Sequence, residues 1–163
     1  MKRGELQRPD WDTYFLDIAH MVARRGNCLR RQVAAVIVKD RRIISTGYNG
    51  TPRGIRNCCE GGCERCESDA PSGTGLSECV CSHAEENGIT QAAYHGIALA
   101  GAALYCTMSP CLTCAKMIIN AGIKEVVFET EYHFGDQTKA LFVEAGVRCR
   151  QYVRKGDAAS PAG

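Results

Sequence analysis

Two short segments hold the residues that could do chemistry: Ser82-His83-Ala84-Glu85 and Ser109-Pro110-Cys111-Leu112-Thr113-Cys114, with Cys111 following His83 by 28 positions. One imidazole and two thiols give a zinc ion three protein ligands, and a zinc held by three keeps its fourth position open for water. Zinc lowers the pKa of such a water to about 7, which supplies hydroxide at neutral pH. Glu85 stands two residues beyond His83 and can carry the proton from the water to a leaving group. Either half alone says less. Cys-x-x-Cys also serves redox pairs and structural zinc knuckles, and Ser-x-x-Glu is a helix capping box that would give Glu85 only a structural task. Together they point to metal-assisted hydrolysis.

The local sequence suggests how these groups are presented. Ser82 reads as an N-cap with Glu85 three residues on, so His83 is expected to begin a helix. Ser109 followed by Pro110 reads as an N-cap and a first-turn proline, so Cys111 and Cys114 are expected to open another. Helix N-termini carry partial positive charge, which favours thiolate over thiol. Two such starts facing each other would seat the metal.

The rest of the chain supplies a scaffold. Asp10 can cap a helix to about Arg25, with Trp11, Tyr14, Phe15, Ile18, Met21 and Val22 at core-facing spacing and Gly26 as a stop; His20 on this helix is expected at the surface or in the core. Val33 to Val38 reads as a buried strand, Asp40-Arg41-Arg42 as a turn and Ile43 to Thr46 as the second strand of a hairpin. Gly47-Tyr48-Asn49-Gly50-Thr51-Pro52-Arg53-Gly54 is a loop with close backbone approach. A strand at Ala102 to Cys106 separates the two ligand helices, His83 to about Gly96 and Cys111 to Ala121. After them come strands at Glu125 to Glu129 and Val147 to Tyr152, with a helix at Gln137 to Ala145. The alternation predicts an α/β fold: a mixed, mostly parallel five-stranded sheet with helices on both faces in three layers, and a site beyond the strand ends where helices begin. Cys106 and Cys149 read as small buried hydrophobes.

The stretch 55–81 breaks the pattern. It holds Cys58, Cys59, Cys63, Cys66, Cys79 and Cys81 among several glycines, without periodicity. A loop this long in a compact domain is usually functional or clamped. Four thiolates close a tetrahedral zinc site, so a second, structural zinc is the expected clamp, with Cys63-x-x-Cys66 as a ready pair.

Composition sets the bounds. A chain of 163 residues fits one domain, expected over 1–153, with 154–163 expected as a disordered tail. The net charge of +2, from 20 basic and 18 acidic residues, offers no broad basic surface for nucleic acid. No apolar signal region or membrane-length stretch is visible, so a cytoplasmic protein without membrane attachment is expected. Eleven cysteines in a reducing compartment, an odd number, suggest metal rather than disulfides.

Several segments resemble the deoxycytidylate (dCMP) deaminase family of the cytidine deaminase-like fold. They are 33–38, the 47–54 loop, His83-Ala84-Glu85-Glu86-Asn87, 109–116 and 121–127, and the resemblance covers roughly 12–153. His-x-Glu with Pro-Cys-x-x-Cys is shared by zinc-dependent base deaminases generally, whereas the Gly-Tyr-Asn-Gly-x-Pro-x-Gly loop is characteristic of this branch. The resemblance implies zinc-dependent hydrolysis of dCMP to dUMP and ammonia, which supplies a dTTP precursor. His83, Cys111 and Cys114 would hold zinc, and Glu85 would shuttle protons through N3. Asn49 would bond the sugar or base, Arg30 or Arg31 would take the 5′-phosphate, and Ser109 and Tyr132 would lie near the nucleotide. It further implies a homo-oligomer, a hexamer, activated by dCTP (with Mg2+) and inhibited by dTTP through Gly50, Thr51, Arg53 and Gly54. For the structural zinc it implies Cys28, Cys58 and Cys81 plus one of Cys63, Cys66 and Cys79. Two departures, Glu86 and Gly88, stand where the family has Leu or Met and Ala. An acidic residue beside the metal helix would repel a phosphate or bind a polar base substituent. This keeps open dCTP or a modified cytosine as substrate. A deaminase of a nucleoside, a nucleobase or an adenosine in RNA is a separate rival, against which the near-neutral charge and the 47–54 loop speak. A catalytically inactive zinc-bound nucleotide sensor is the non-enzymatic alternative.

Overall fold

The computed structural model describes residues 7–154. Helix α1 (Trp11–Ala23) opens on Asp10, whose carboxylate accepts from the Thr13 backbone N–H at 2.8 Å. Strands β1 (Ala34–Lys39) and β2 (Arg42–Tyr48) form the hairpin. Its turn residues Asp40 and Arg41 have φ of 50° and 60°, the left-handed pair that matches strand twist. The one-turn helix α2 (Glu64–Glu67) and two 3₁₀ turns interrupt the cysteine-rich stretch. There follow α3 (Ala84–Tyr94), β3 (Ala103–Met108), α4 (Leu112–Asn120), β4 (Glu125–Thr130), α5 (Asp136–Glu144) and β5 (Arg148–Gln151).

Among the described residues the strands form one five-stranded sheet in the order β2-β1-β3-β4-β5. The mixed character expected from the sequence is present, but the pairing is evenly split. β1 runs antiparallel to both β2 and β3, and only β3–β4 and β4–β5 are parallel. Alternation along the strands separates the two faces. Ile37, Leu104, Val126 and Phe128 face α3, α4 and α5 through Ala84, Ala92, Ile118 and Phe142. Val36, Val38, Tyr105 and Val127 face Phe15, Leu16 and Ala19 of α1. The architecture is therefore the three-layer α/β/α sandwich, with α1 the lone helix on one face among the described residues.

Three expectations are corrected here. α1 stops at Ala23 rather than near Arg25. Trp11, Tyr14 and Met21, expected in the core, are 40%, 43% and 62% exposed, because a single helix facing a sheet buries only the Phe15–Leu16–Ala19 stripe. Arg42 belongs to β2 rather than to the turn. Arg154, the last described residue, pairs with Asp17 and Glu129 at 2.7 and 2.6 Å, which ties it to α1 and β4. The remainder of the expected tail, 155–163, lies outside the described residues.

Candidate active site

Both ligand segments sit at helix starts, displaced from the sequence expectation by one residue at α3 and by two at α4. His83, not Ser82, is the N-cap of α3, and Cys111, not Ser109, is the N-cap of α4. Ser82 is drawn into a backbone bridge with Gly50, its N–H donating to Gly50 O at 2.8 Å and its carbonyl accepting from Gly50 N–H at 3.2 Å. That exchange holds the residue before His83 in extended conformation. It also changes which acid caps the helix: Glu86 accepts from the His83 backbone N–H at 3.2 Å. Glu85 is thereby free of any capping duty.

His83 Nδ1 lies 3.4 Å from the sulfur of Cys111 and 3.4 Å from that of Cys114. Donors on a tetrahedral zinc, with bonds of ~2.0–2.3 Å, stand roughly 3.5–3.8 Å apart, so these three atoms fit the ion and leave a fourth corner. The donors also share protons strongly. Hydrogen bonds with Cys114 and His83 hold the Cys111 thiol down to about 4, and the same contact with Cys111 lifts His83 to about 9. Cys111 is thus already a thiolate at neutral pH, and a metal would displace the protons of His83 and of Cys114, whose thiol the same contact with Cys111 pushes up.

Glu85 is buried beside this trio, 5% exposed, and desolvation pushes its carboxyl up to about 7. A carboxyl poised there can both take and return a proton at neutral pH. Zinc at the adjacent donors would draw this value downward.

A cavity of about 360 Å³ opens in front of the donors, its walls including Arg31, Asn49, Glu85, Ser109 and Tyr132. Arg31 stacks on the Tyr132 ring at 3.6 Å and donates to Ser72 Oγ at 3.0 Å, which also meets the Tyr132 hydroxyl at 2.6 Å. Arg30 also lines the cavity, but its guanidinium donates to the carbonyls of Cys66, at 2.9 Å, and Ser68. Of the two candidates, Arg31 thus has the freer charge. Asn49 Oδ1 accepts from Val33 N–H at 2.9 Å and its Nδ2 donates to Arg31 O at 2.7 Å, so the side chain fixes the start of β1 and keeps one lone pair and one N–H for a ligand. Ser109 Oγ donates to Tyr132 O at 3.0 Å and accepts from Tyr132 N–H at 2.8 Å, placing the Tyr132 loop over the cavity. Ser72 was not legible in the sequence, being one serine in an aperiodic stretch.

The remaining candidates gather in two places. Cys28, Cys58, Cys66 and Cys81 form one group of mutually close sulfurs, and Cys63, Cys66, Cys79 and Cys81 form another. Gly50, Thr51, Arg53 and Gly54 border neither the donors nor the first cavity. Thr51, Arg53 and Gly54 line a second opening of about 830 Å³ together with Glu86, Gln91 and Tyr94. Arg53 lies 4.1 Å over the Tyr94 ring there, and Thr51 Oγ1 is buried without a hydrogen-bond partner among the described residues.

Residues 9–130, which include His83, Glu85, Cys111 and Cys114, match the family described as the cytidine and deoxycytidylate deaminase zinc-binding region. The chain belongs to this family. Among its relatives, the deoxycytidylate deaminase of Schizosaccharomyces pombe is 49% identical over 146 residues, covering 90% of this chain and 45% of that one. The chain therefore spans less than half the length of that relative. The deoxycytidylate deaminase of Mycobacterium phage D29 is 44% identical over 131 residues, 77% of this chain and 99% of the phage protein. Among solved structures, the dCMP deaminase of cyanophage S-TIM5 in complex with dCMP and dUMP superposes with a TM-score of 0.72 at 32% identity, covering 90% of this chain and 99% of its own. The zinc-binding character of the family agrees with the donor geometry of His83, Cys111 and Cys114.

Proposed function

We propose that this chain hydrolyses dCMP to dUMP and ammonia. The observation that carries the reading is Glu85, a buried carboxyl that neither ligates nor caps, set beside a three-donor metal seat at the end of a nucleotide-sized cavity. The relatives' activity and the dCMP and dUMP bound to the cyanophage protein support it. His83, Cys111 and Cys114 would hold zinc, which supplies a water of lowered pKa. Glu85 takes the proton from that water and delivers it first to N3 of the ring. It then moves the proton needed by the 4-amino group as it leaves as ammonia. The oxygen gained at C4 and the nitrogen lost balance as dCMP plus water gives dUMP plus ammonia. Arg31, held flat against Tyr132, takes the 5′-phosphate, with Arg30 more committed to the insert. Asn49 offers its remaining N–H to the sugar or base.

Glu86 was the residue that opened dCTP and modified cytosines as substrates. Its carboxylate caps α3 and it lines the second opening rather than the first, which favours dCMP. That second opening suits a nucleotide effector, dCTP with Mg2+ or dTTP, at Thr51, Arg53 and Gly54, beside Gly50. We further read 1–153 as one catalytic domain of a cytoplasmic homo-oligomer, a hexamer, with a structural zinc in the cysteine-rich stretch. Among the described residues, no helix is long and apolar enough to cross a membrane.

The test is ammonia release from dCMP, deoxycytidine, CMP and dCTP in parallel. Preference for dCMP is expected, lost in Glu85→Gln. Equal turnover of deoxycytidine would remove the phosphate role of Arg31, and no turnover by zinc-replete protein would favour a sensor.

A further inference from the structure

The stretch 55–81 has no apolar core of its own. Its large apolar residues, Ile55, Leu76 and Val80, are exposed, whereas Cys58, Cys63 and Cys66 are almost wholly buried. The buried cluster they form, with Cys28, Cys79 and Cys81 packed around it, consists of sulfur alone. These six thiols come from separate segments: Cys28 ahead of β1, Cys58 on a 3₁₀ turn, Cys63 and Cys66 around α2, and Cys79 and Cys81 on the approach to His83.

Their spacing is that of metal thiolates and not of disulfides. Cys66 Sγ stands 3.8 Å from Cys28, 3.7 Å from Cys79 and 4.0 Å from Cys81, and Cys63 Sγ is 3.8 Å from Cys79. A disulfide needs ~2.05 Å, whereas two sulfurs on one tetrahedral zinc stand about 3.8 Å apart. The two groups of four mutually close sulfurs share Cys66 and Cys81. A single zinc in either group would leave two thiols of the other stranded against it. Outlying sulfurs receive backbone N–H groups: Leu29 N–H points to Cys58 Sγ and Val80 N–H to Cys63 Sγ, each at 3.4 Å. Cys66, at the centre, is ringed by other sulfurs.

We propose that these six cysteines hold two zinc ions in one cluster, with Cys28 and Cys58 terminal on the first ion, Cys63 and Cys79 terminal on the second, and the sulfurs of Cys66 and Cys81 bridging both. Six thiols release six protons to bind two Zn2+, and the assembly carries a net charge of −2. The cluster rests on the reading that this stretch holds structural zinc at all, and it doubles the metal there. It also anchors Cys81, two residues before His83, so the insert's metal core and the catalytic donor share one short length of backbone.

The test is the zinc content of the purified full chain by native mass spectrometry, with thiol alkylation of the undenatured protein read by peptide mapping. Three zinc ions per chain are expected, two remaining in His83→Ala, with the six cysteines protected and exposed Cys59 labelled as an internal control. Two zinc ions in the unaltered chain, with two of the six cysteines labelled, would overturn the shared cluster and keep a mononuclear structural zinc. One zinc ion, with all six labelled, would overturn both. Cadmium-113 exchange gives an independent readout on the unaltered chain: two all-thiolate resonances coupled through shared sulfurs are expected. A single uncoupled resonance would overturn the bridge.

Discussion

The His83–Cys111–Cys114 trio and the cysteine-rich stretch both gather side chains that can ligate a metal, yet they are built in opposite ways. His83, Cys111 and Cys114 come from the first turns of two helices packed on one face of the sheet, and the fold positions them through ordinary apolar contacts. The 55–81 stretch has only a single turn of α-helix and two 3₁₀ turns, and its buried side chains are cysteine thiols together with Arg65, whose guanidinium donates to the Pro71 and Thr74 carbonyls. The first site is a fold that would hold a metal; the second is a metal core that would hold a fold. Three ligands leave a corner for chemistry, whereas four close it. The lesson is that cysteine count alone does not tell a reaction centre from a staple; the surrounding packing does.

The comparison can be broken most decisively at Glu85. Glu85→Gln is expected to lower kcat for dCMP by ~10²–10⁴-fold while bound zinc, measured by mass spectrometry, stays unchanged. A loss of metal would mean that the carboxylate helps hold the ion. Next comes Cys58→Ser in the insert, which is expected to weaken the metal there by more than the ~10–100-fold typical of an outer-shell change. It should raise hydrogen exchange across 55–81, with α3 and α4 protection retained. Graded chelation sharpens the same contrast: activity should fall first, with the circular dichroism spectrum intact, and the insert should loosen only at higher chelator concentration. Reversal of that order would make the three-ligand site the more tightly closed one.

Two smaller effects probe the helix that carries His83. A Cβ on Gly47 would sit 2.1 Å from Ala84 O, so Gly47→Ala is expected to destabilise by about 1–3 kcal/mol in urea unfolding. Gly88→Ala meets Ile37 Cδ1 at 3.4 Å, ordinary contact, and removes a helical glycine, so it should stabilise by up to ~1 kcal/mol. Smallest is Glu86→Ala, which loses a capping contact worth ~0.5–1 kcal/mol and leaves kcat for dCMP near its starting value.

The sheet, its strand positions and the ligand trio were legible because each has a strong local signature: β-branched runs, stop glycines, and a histidine and two cysteines at helix starts. The shift of both helix starts, by one residue at α3 and two at α4, was not legible. Ser82 is a good N-cap in isolation, and only its pairing with Gly50, 32 positions earlier, removes it from that role. The exposure of Trp11 and Tyr14 was hidden because periodicity marks an apolar arc, not how much of it a sheet covers. The partition of the cysteines was beyond reach for a related reason. Spacing offered Cys63 and Cys66 as a pair, but the sulfurs of Cys28 and Cys66, 38 positions apart, meet only through the tertiary fold.

The first turn of α3 has a property that its two glutamates make plain. Glu85 and Glu86 are neighbours in the chain, yet Glu85 borders the cavity of the metal donors and Glu86 borders the other opening. Ser82 borders both. The wall between the two chambers is thus a single turn of helix, pinned at its head by the Gly50 bridge and by the Glu86 carboxylate on the His83 N–H. Any displacement of that partition that enlarges one chamber narrows the other, and it carries a metal donor with it.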